Sequence, residues 1–237
     1  MDISIITITY NNIEGLKKTV ESVVSQTEYR NIEYIVVDGG SSDGTENYLM
    51  KIKDQYGLKY ISEADRGISD AFNKGIRMAT GDMLLFLNSG DCLIDSSIMK
   101  EVIADIRERK IDILSYKVVV TEDISIPSTD NREKIWNMCE MPHQGTFVSR
   151  EVIKKVGIYS EEYKIRMDFH FFARCRKAGC SFEYIPKAIV KYEPGGTSMR
   201  KENRIRFWKE GMAIKFMYGI KLSAKDFIKL IIYSLQA

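Results

Sequence analysis

Four short apolar runs rich in β-branched residues, separated by three stretches with helical spacing, occupy the chain between residues 3 and 87. Residues 3 to 9 read as a buried first strand that ends at Tyr10-Asn11-Asn12. Asn12 is placed to cap a helix carrying Leu16, Val20, Val23 and Val24 on one face. Ile32 to Val37 is a second strand, and Asp43 with Glu46 has the spacing of a capping box for the helix that follows. Leu58 to Ile61 reads as a third strand, Ile68 to Met78 as a helix stopped by Gly81, and Met83 to Leu87 as a fourth strand. Such alternation predicts an α/β fold, a mainly parallel sheet with right-handed crossovers and helices on its faces.

Two of these strands end in the same way. Val36-Val37 runs into Asp38-Gly39-Gly40-Ser41-Ser42-Asp43-Gly44-Thr45, and Phe86-Leu87 runs into Asn88-Ser89-Gly90-Asp91. Open parallel sheets bind ligands just beyond the carboxyl ends of their strands, so two acidic turns there predict a crevice for a polar ligand. Asp38 can accept from a base N–H or from ribose hydroxyls, and Asp91 is a hard oxygen donor of the kind that holds Mg2+ or Mn2+ beside substrate phosphates. Between the two turns, Asp65 and Arg66 follow the third strand, where Asp65 can hold a base and Arg66 can meet a phosphate; Asp70 and Asn73 lie on the next helix. The plainer alternative for each of these residues is a turn, a cap or a solvated helix face.

The second half is less regular. Ile98 to Arg107 is amphipathic, Ile113 to Val120 is a strand, and the polar run from Thr121 to Glu133 reads as a flexible loop. Gly145 to Val148 reads as a short strand, Phe169 to Arg176 lies in a helix ended by Gly179, and Ile185 to Tyr192 is a last strand. From Glu202 onward the pattern is helical and interleaves Lys and Arg with large apolar residues. A basic amphipathic tail of this kind either lies on an anionic membrane or packs against the domain or a dimer partner.

Composition excludes several classes. A length of 237 residues suits one α/β domain with a helical appendage, and the net charge of +2 gives no broad field for nucleic acid. Cys92, Cys139, Cys175 and Cys180 form no CxxC pair, and the two histidines do not complete a zinc pattern, so four reduced thiols are expected. The start of the chain lacks the length and flanks of a signal peptide, and no apolar run approaches the ~18 residues that span a bilayer. The expected location is cytoplasmic, at most peripheral on the inner face of the cell membrane.

Taken in order, Thr9-Tyr10-Asn11, the Asp38–Thr45 turn, Asp65-Arg66-Gly67 with Asn73, Gly81-Asp82 and the turn at Asn88–Asp91 resemble the inverting glycosyltransferases of family 2, which have the GT-A fold of nucleotide-diphospho-sugar transferases. The similarity is dense over residues 3 to about 95 and thinner to about 198. It implies a GT-A domain over residues 1–198, with a nucleotide-binding half (1–95) and an acceptor half (96–198), then a helical appendage over 199–237. It further implies a nucleotide-diphospho-sugar donor, most often a UDP-sugar, and a hydroxyl acceptor on a glycan or lipid-linked sugar, with Mn2+ or Mg2+ as cofactor. The donor's hexosyl or N-acetylhexosaminyl unit would go to a bacterial surface polysaccharide. Under that resemblance Thr9, Tyr10, Asn11, Asp38, Asp65, Arg66, Asn73, Asn88 and Ser89 contact the nucleotide, Asp91 ligates the metal, and His143 and Gln144 lie beneath donor sugar and acceptor. Asp168, at a helix start, is the base that takes the acceptor's proton, with an apolar setting raising its pKa. Gly195-Gly196-Thr197-Ser198, with Arg200 beyond, matches the segment that closes over the diphosphate.

One departure stands out. The family's acidic turn is Asp-x-Asp or Asp-x-Asp-Asp, whereas this chain has Asn88-Ser89-Gly90-Asp91, leaving Asp91 as the turn's only anion. That loss keeps open a degenerate sugar-nucleotide-binding module without catalysis. A nucleotidyltransferase is a further alternative, but it would carry a Gly-rich phosphate loop with Lys or Arg after the first strand, where Thr9-Tyr10-Asn11-Asn12 stands instead.

Overall fold

The computed structural model describes residues 2–121, 124–196 and 200–235. Strands β1 (Ile3–Thr9), β2 (Ile32–Asp38), β3 (Lys59–Ser62) and β4 (Met83–Asn88) alternate with helices α1 (Ile13–Val24), α2 (Thr45–Tyr56) and α3 (Ile68–Met78). They pair in parallel in the order β3-β2-β1-β4. Every residue of β1 is buried, because α/β crossovers cover both faces of a parallel sheet. Ile3 and Ile5 point into one layer of core and Ile6 and Ile8 into the other, following the two-residue period of a strand.

The remaining elements are β5 (Cys92–Leu93), α4 (Ile98–Arg109), β6 (Ile113–Thr121), β7 (Ile124–Ile126), α5 (Arg132–Met138), β8 (Thr146–Ser149), α6 (Arg150–Val156), α7 (Met167–Lys177), β9 (Phe182–Lys191), α8 (Arg204–Met217) and α9 (Ala224–Leu235). β8 runs antiparallel to β4 and β6, so the sheet is parallel in its first half and mixed in its second. The order continues β8-β6-β9-β5, with β7 attached to β6. One core layer takes Leu16 and Val20 from α1, Leu49 from α2 and Val102 and Ile106 from α4. The other takes Phe72 and Ile76 from α3, Val152 from α6, Phe171 and Phe172 from α7 and Ile214 from α8.

Two local expectations are corrected. Asp43 does not form a capping box: Gly44 is the N-cap of α2, and the Asp43 carboxylate instead accepts from Ile13 N (2.8 Å) and Thr45 Oγ1 (2.6 Å), tying the β2 turn to the start of α1. The polar run from Thr121 to Glu133 is not a plain loop. β6 extends to Thr121, β7 pairs with it, and α5 starts at Arg132 with Asn131 as a side-chain cap. Helix α6 and the two-residue β5 have no counterpart in the sequence reading, since both are shorter than a reliable periodic pattern.

Candidate functional site

β1 pairs with β2 on one side and β4 on the other, so strand order reverses there, and the crevice of such a sheet opens at that point. Register puts Thr9 level with Asp38, and Ile8 level with Asn88. The Asp38 carboxylate is fully buried and holds its own turn, accepting from Ser41 N (3.2 Å), Ser41 Oγ and Ser62 Oγ (2.6 Å). Asn11 adopts the left-handed conformation (φ 48°), its N–H donates to Ser41 Oγ (2.7 Å), and its side-chain oxygen accepts from Ser42 N (2.9 Å). Tyr10 is 66% exposed, an open ring at the mouth of β1. Gly39 lets chains meet here: a Cβ would lie 2.5 Å from Asp65 Oδ2 and 3.3 Å from the Tyr10 ring. Asp65 Oδ1 accepts from Gly67 N (2.9 Å). The Thr9 hydroxyl is buried beside this group and has no hydrogen-bond partner among the described residues.

Thr9, Tyr10, Asn11, Asp38 and Asp65 are thus brought together, as the sequence implied. Arg66 and Asn73 are drawn elsewhere. The Arg66 guanidinium is committed to Glu161 through two 2.8 Å hydrogen bonds and to Asp70 (3.2 Å). The expectation that Asn73 touches the nucleotide is corrected. Its amide donates to Tyr159 O (2.8 Å) and accepts from Tyr159 N (2.9 Å), so this buried side chain ties α3 to the segment before α7.

The second cluster lies at the end of β4. Ser89 accepts from Asn12 Nδ2 at both its carbonyl and its hydroxyl (3.1 Å each). Gly90 N–H donates to Thr19 Oγ1 (2.8 Å) and Gly15 O (3.1 Å), which seats the turn on α1. Asp91 does not offer the open carboxylate expected of a metal ligand. It is 1% exposed, and it accepts from Asn88 N (3.0 Å), Glu193 N (3.3 Å) and the Gln144 side chain. Burial outweighs these donors and pushes its carboxyl above the ordinary range. No group of three or more His, Cys, Asp or Glu side chains is placed to hold a metal among the described residues.

His143, on a 3-10 turn before β8, joins this turn to the start of α7. Its Nε2 lies 3.2 Å from Asn88 Nδ2, and its Nδ1 lies 3.2 Å from Asp168 Oδ2. The Asp168 side chain remains 28% exposed, and its other oxygen accepts from Phe169 N (2.7 Å). The expected rise in its pKa is reversed. Burial does push the carboxyl up, but the hydrogen bond and charge of His143, the Arg166 guanidinium and the Phe169 N–H together hold it below the usual carboxylate value. Glu210 on α8 accepts from the N–H groups of Lys164, Ile165 and Arg166 (3.1, 3.0 and 2.9 Å) just ahead of α7. The helical tail therefore braces the segment that carries Asp168. Thr197 and Ser198, expected to close over the diphosphate, lie outside the described residues.

His170, two residues on, faces away from the crevice. Its Nε2 is 3.0 Å from Tyr218 Oη, and its ring packs on Tyr163. Burial, helped by Arg174, lowers its pKa from 6.5 to about 4. The folded state then refuses a proton that the unfolded chain accepts, so stability is complete above pH 6.5 and falls as pH drops toward 4. Urea unfolding is expected to lose up to about 3 kcal/mol across that window, at 1.36 kcal/mol per unit. In His170→Gln, which cannot titrate there, the same interval should be flatter; an unchanged pH slope would assign the loss to other groups.

Among solved structures, this arrangement is similar to Staphylococcus aureus TarS (residues 1–349) in complex with UDP. The TM-score is 0.73 at 20% identity, covering 98% of this chain and 70% of that one. A mannosyltransferase of Pyrobaculum calidifontis, in complex with GDP-Man and Mn2+, superposes with a TM-score of 0.71 at 16% identity, covering 98% and 68%. At that identity the likeness establishes the fold, that of the GT-A glycosyltransferases. Residues 4–173 match glycosyl transferase family 2, and the chain belongs to that family. An uncharacterized glycosyltransferase of Mycobacterium tuberculosis is 28% identical over 206 residues, covering 84% of this chain and 78% of the relative. A PGL/p-HBAD biosynthesis glycosyltransferase of Mycobacterium bovis is 30% identical over 206 residues, covering 82% and 78%. The protein is accordingly a glycosyltransferase.

The sequence reading missed Glu193. It follows β9 at Glu193-Pro194-Gly195-Gly196, the same pattern of a strand running into an acid and a glycine turn that marked Asp38. The signal was present in the sequence; its place beside the crevice was not.

Proposed function

We propose that the enzyme transfers a hexosyl or N-acetylhexosaminyl unit from a UDP-sugar to a hydroxyl of a glycan or lipid-linked sugar, with inversion. The observation that carries the reading is the His143 bridge. One imidazole spans from Asn88, where the diphosphate would lie, to the ionised, partly open carboxylate of Asp168. In-line displacement needs a base on the side opposite the leaving group, and Asp168 is the group that would take the acceptor's proton. Thr9, Tyr10, Asn11, Asp38 and Asp65 would surround the nucleoside. Gln144 would act from behind, by holding Asp91. Mn2+ or Mg2+ at the acidic turn would neutralise charge on the departing diphosphate.

No helix among the described residues is long and apolar enough to cross a membrane. For a lipid-linked acceptor, the tail would meet the inner face of the membrane peripherally. Phe216, Phe227, Ile228 and Ile231 are exposed there, and Lys221 and Lys229 lie on the same segment. A homodimer through that face would set the same cations against each other.

Thermal unfolding tests the donor class. UDP with Mn2+ should raise the melting temperature more than ADP or GDP at equal concentration, since a ligand at 100 times its Kd adds roughly 2.7 kcal/mol to native stability. Equal shifts for the three nucleotides would remove the uridine assignment.

A further inference from the structure

We propose that Glu193 supplies the carboxylate missing from the acidic turn and is the anionic ligand of the divalent cation. This rests on the nucleotide-sugar reading above. Within the turn no anion is available: Asn88 and Ser89 are neutral, Gly90 has no side chain, and Asp91 is buried with its oxygens taken by Asn88 N, Glu193 N and Gln144.

The sheet brings the substitute across. β5 and β9 pair antiparallel with Cys92 opposite Lys191 and Leu93 opposite Val190, and continuing that register by two residues sets Glu193 opposite Gly90. Glu193 N–H donates to Asp91 Oδ1 (3.3 Å), which fixes the backbone there. A Cβ on Gly90 would overlap Glu193 Oε2, so the carboxylate stands where the first atom of an acidic side chain at position 90 would begin. Gly90 also has φ +107°, a conformation that any other residue would hold only under strain. Loss of the acid from the turn and arrival of Glu193 over it are thus two sides of one arrangement.

The donor set suits the ion. Mg2+ and its like bind through one or two carboxylates plus substrate phosphates and waters rather than through a closed protein cage. One carboxylate meets that need. The Glu193 side chain is 42% exposed, and its present partner is Lys18 Nζ on α1 at 3.1 Å, itself 61% exposed. An exposed pair of this kind contributes only ~0–1 kcal/mol, so a cation could displace Lys18 at little cost. The competing account is that Glu193 merely anchors the β9 loop to α1 through Lys18.

Three substitutions, Glu193→Gln, Lys18→Met and Asp91→Asn, separate the accounts, read by Mn2+ titration (electron paramagnetic resonance of bound metal) and by the extra thermal shift that Mn2+ adds to UDP. Glu193→Gln keeps the size and removes the charge. It should weaken Mn2+ binding in the presence of UDP by at least about tenfold, the lower end of what even an outer partner of a metal site is worth. UDP binding without metal should stay at the wild-type level. Lys18→Met frees Glu193 and should hold or strengthen Mn2+ binding. A wild-type Mn2+ increment in Glu193→Gln would overturn the proposal, as would an equal loss in both variants, which is the signature of an anchoring ion pair. Loss confined to Asp91→Asn would return the metal to Asp91. A wild-type protein that binds UDP with no Mn2+ increment would also overturn it, whereas one that fails to bind UDP at all overturns the nucleotide-site reading beneath it.

Discussion

Asp168→Asn is expected to lower the rate of glycosyl transfer by roughly 10²–10⁴-fold, the usual contribution of a positioned general base. Asparagine keeps the size of the side chain and can still accept from Phe169 N and meet His143, so the 2.7 Å and 3.2 Å contacts that seat it need not be rebuilt. It cannot take a proton at neutral pH. UDP affinity should hardly change, because Thr9, Tyr10, Asp38 and Asp65 sit at the other end of the crevice floor, on β1 to β3 and the loops beyond them. Since the carboxyl is held below its ordinary value, the wild-type rate should stay flat down to the normal carboxylate range and fall only beneath it. His170→Ala is the internal comparison. Turned toward Tyr218 and Tyr163, His170 should affect stability and leave transfer within a few-fold of wild type. Normal transfer by Asp168→Asn would dismiss Asp168 as the base; loss of UDP binding in the same variant would mark the defect as structural.

Asn73→Ala should be the more damaging change to the fold. It removes both of the hydrogen bonds by which this amide holds the Tyr159 backbone N–H and C=O across the α3 contact, at 2.9 and 2.8 Å. A buried polar group left unpaired costs about 1–3 kcal/mol, and two are exposed to that penalty here. The surrounding packing of Phe72, Phe86 and Tyr159, with ring centroids 4.8 to 5.5 Å apart, leaves little room for water to repair the gap. Chemical denaturation should therefore show a loss of roughly 2–5 kcal/mol. At temperatures where the variant is folded, UDP should bind as in the wild type. A variant of full stability with weakened UDP binding would restore Asn73 to the nucleotide site.

The nucleotide-binding half was legible in the sequence because its information is local. A strand of β-branched residues, a cap such as Asn12 and a turn such as Asp38-Gly39-Gly40 each declare themselves within a few residues. Parallel pairing then fixes where their ends go, so Thr9 finishes level with Asp38 and Ile8 level with Asn88. Other features depend on partners distant in the sequence. Around Asp168 the apolar neighbours Phe169, Phe171 and Phe172 argued for a raised pKa, yet His143, 25 residues away, decides it. Asn73 looked like a free polar residue on a helix until Tyr159, 86 residues on, took both ends of its amide.

By itself, the sequence determined the α/β architecture, the crevice at the ends of β1, β2 and β4, the family, and the presence of a carboxylate at the head of α7. Only the tertiary structure decided which polar groups remain free to act there. Whether a carboxylate is open or consumed depends on the donors that packing brings within hydrogen-bonding distance of it, and those come from strands and helices far along the chain. Asp91 is consumed by its own turn and by the β9 loop, while Glu193 reaches the gap over Gly90 through a two-residue strand too short to be read from its pattern.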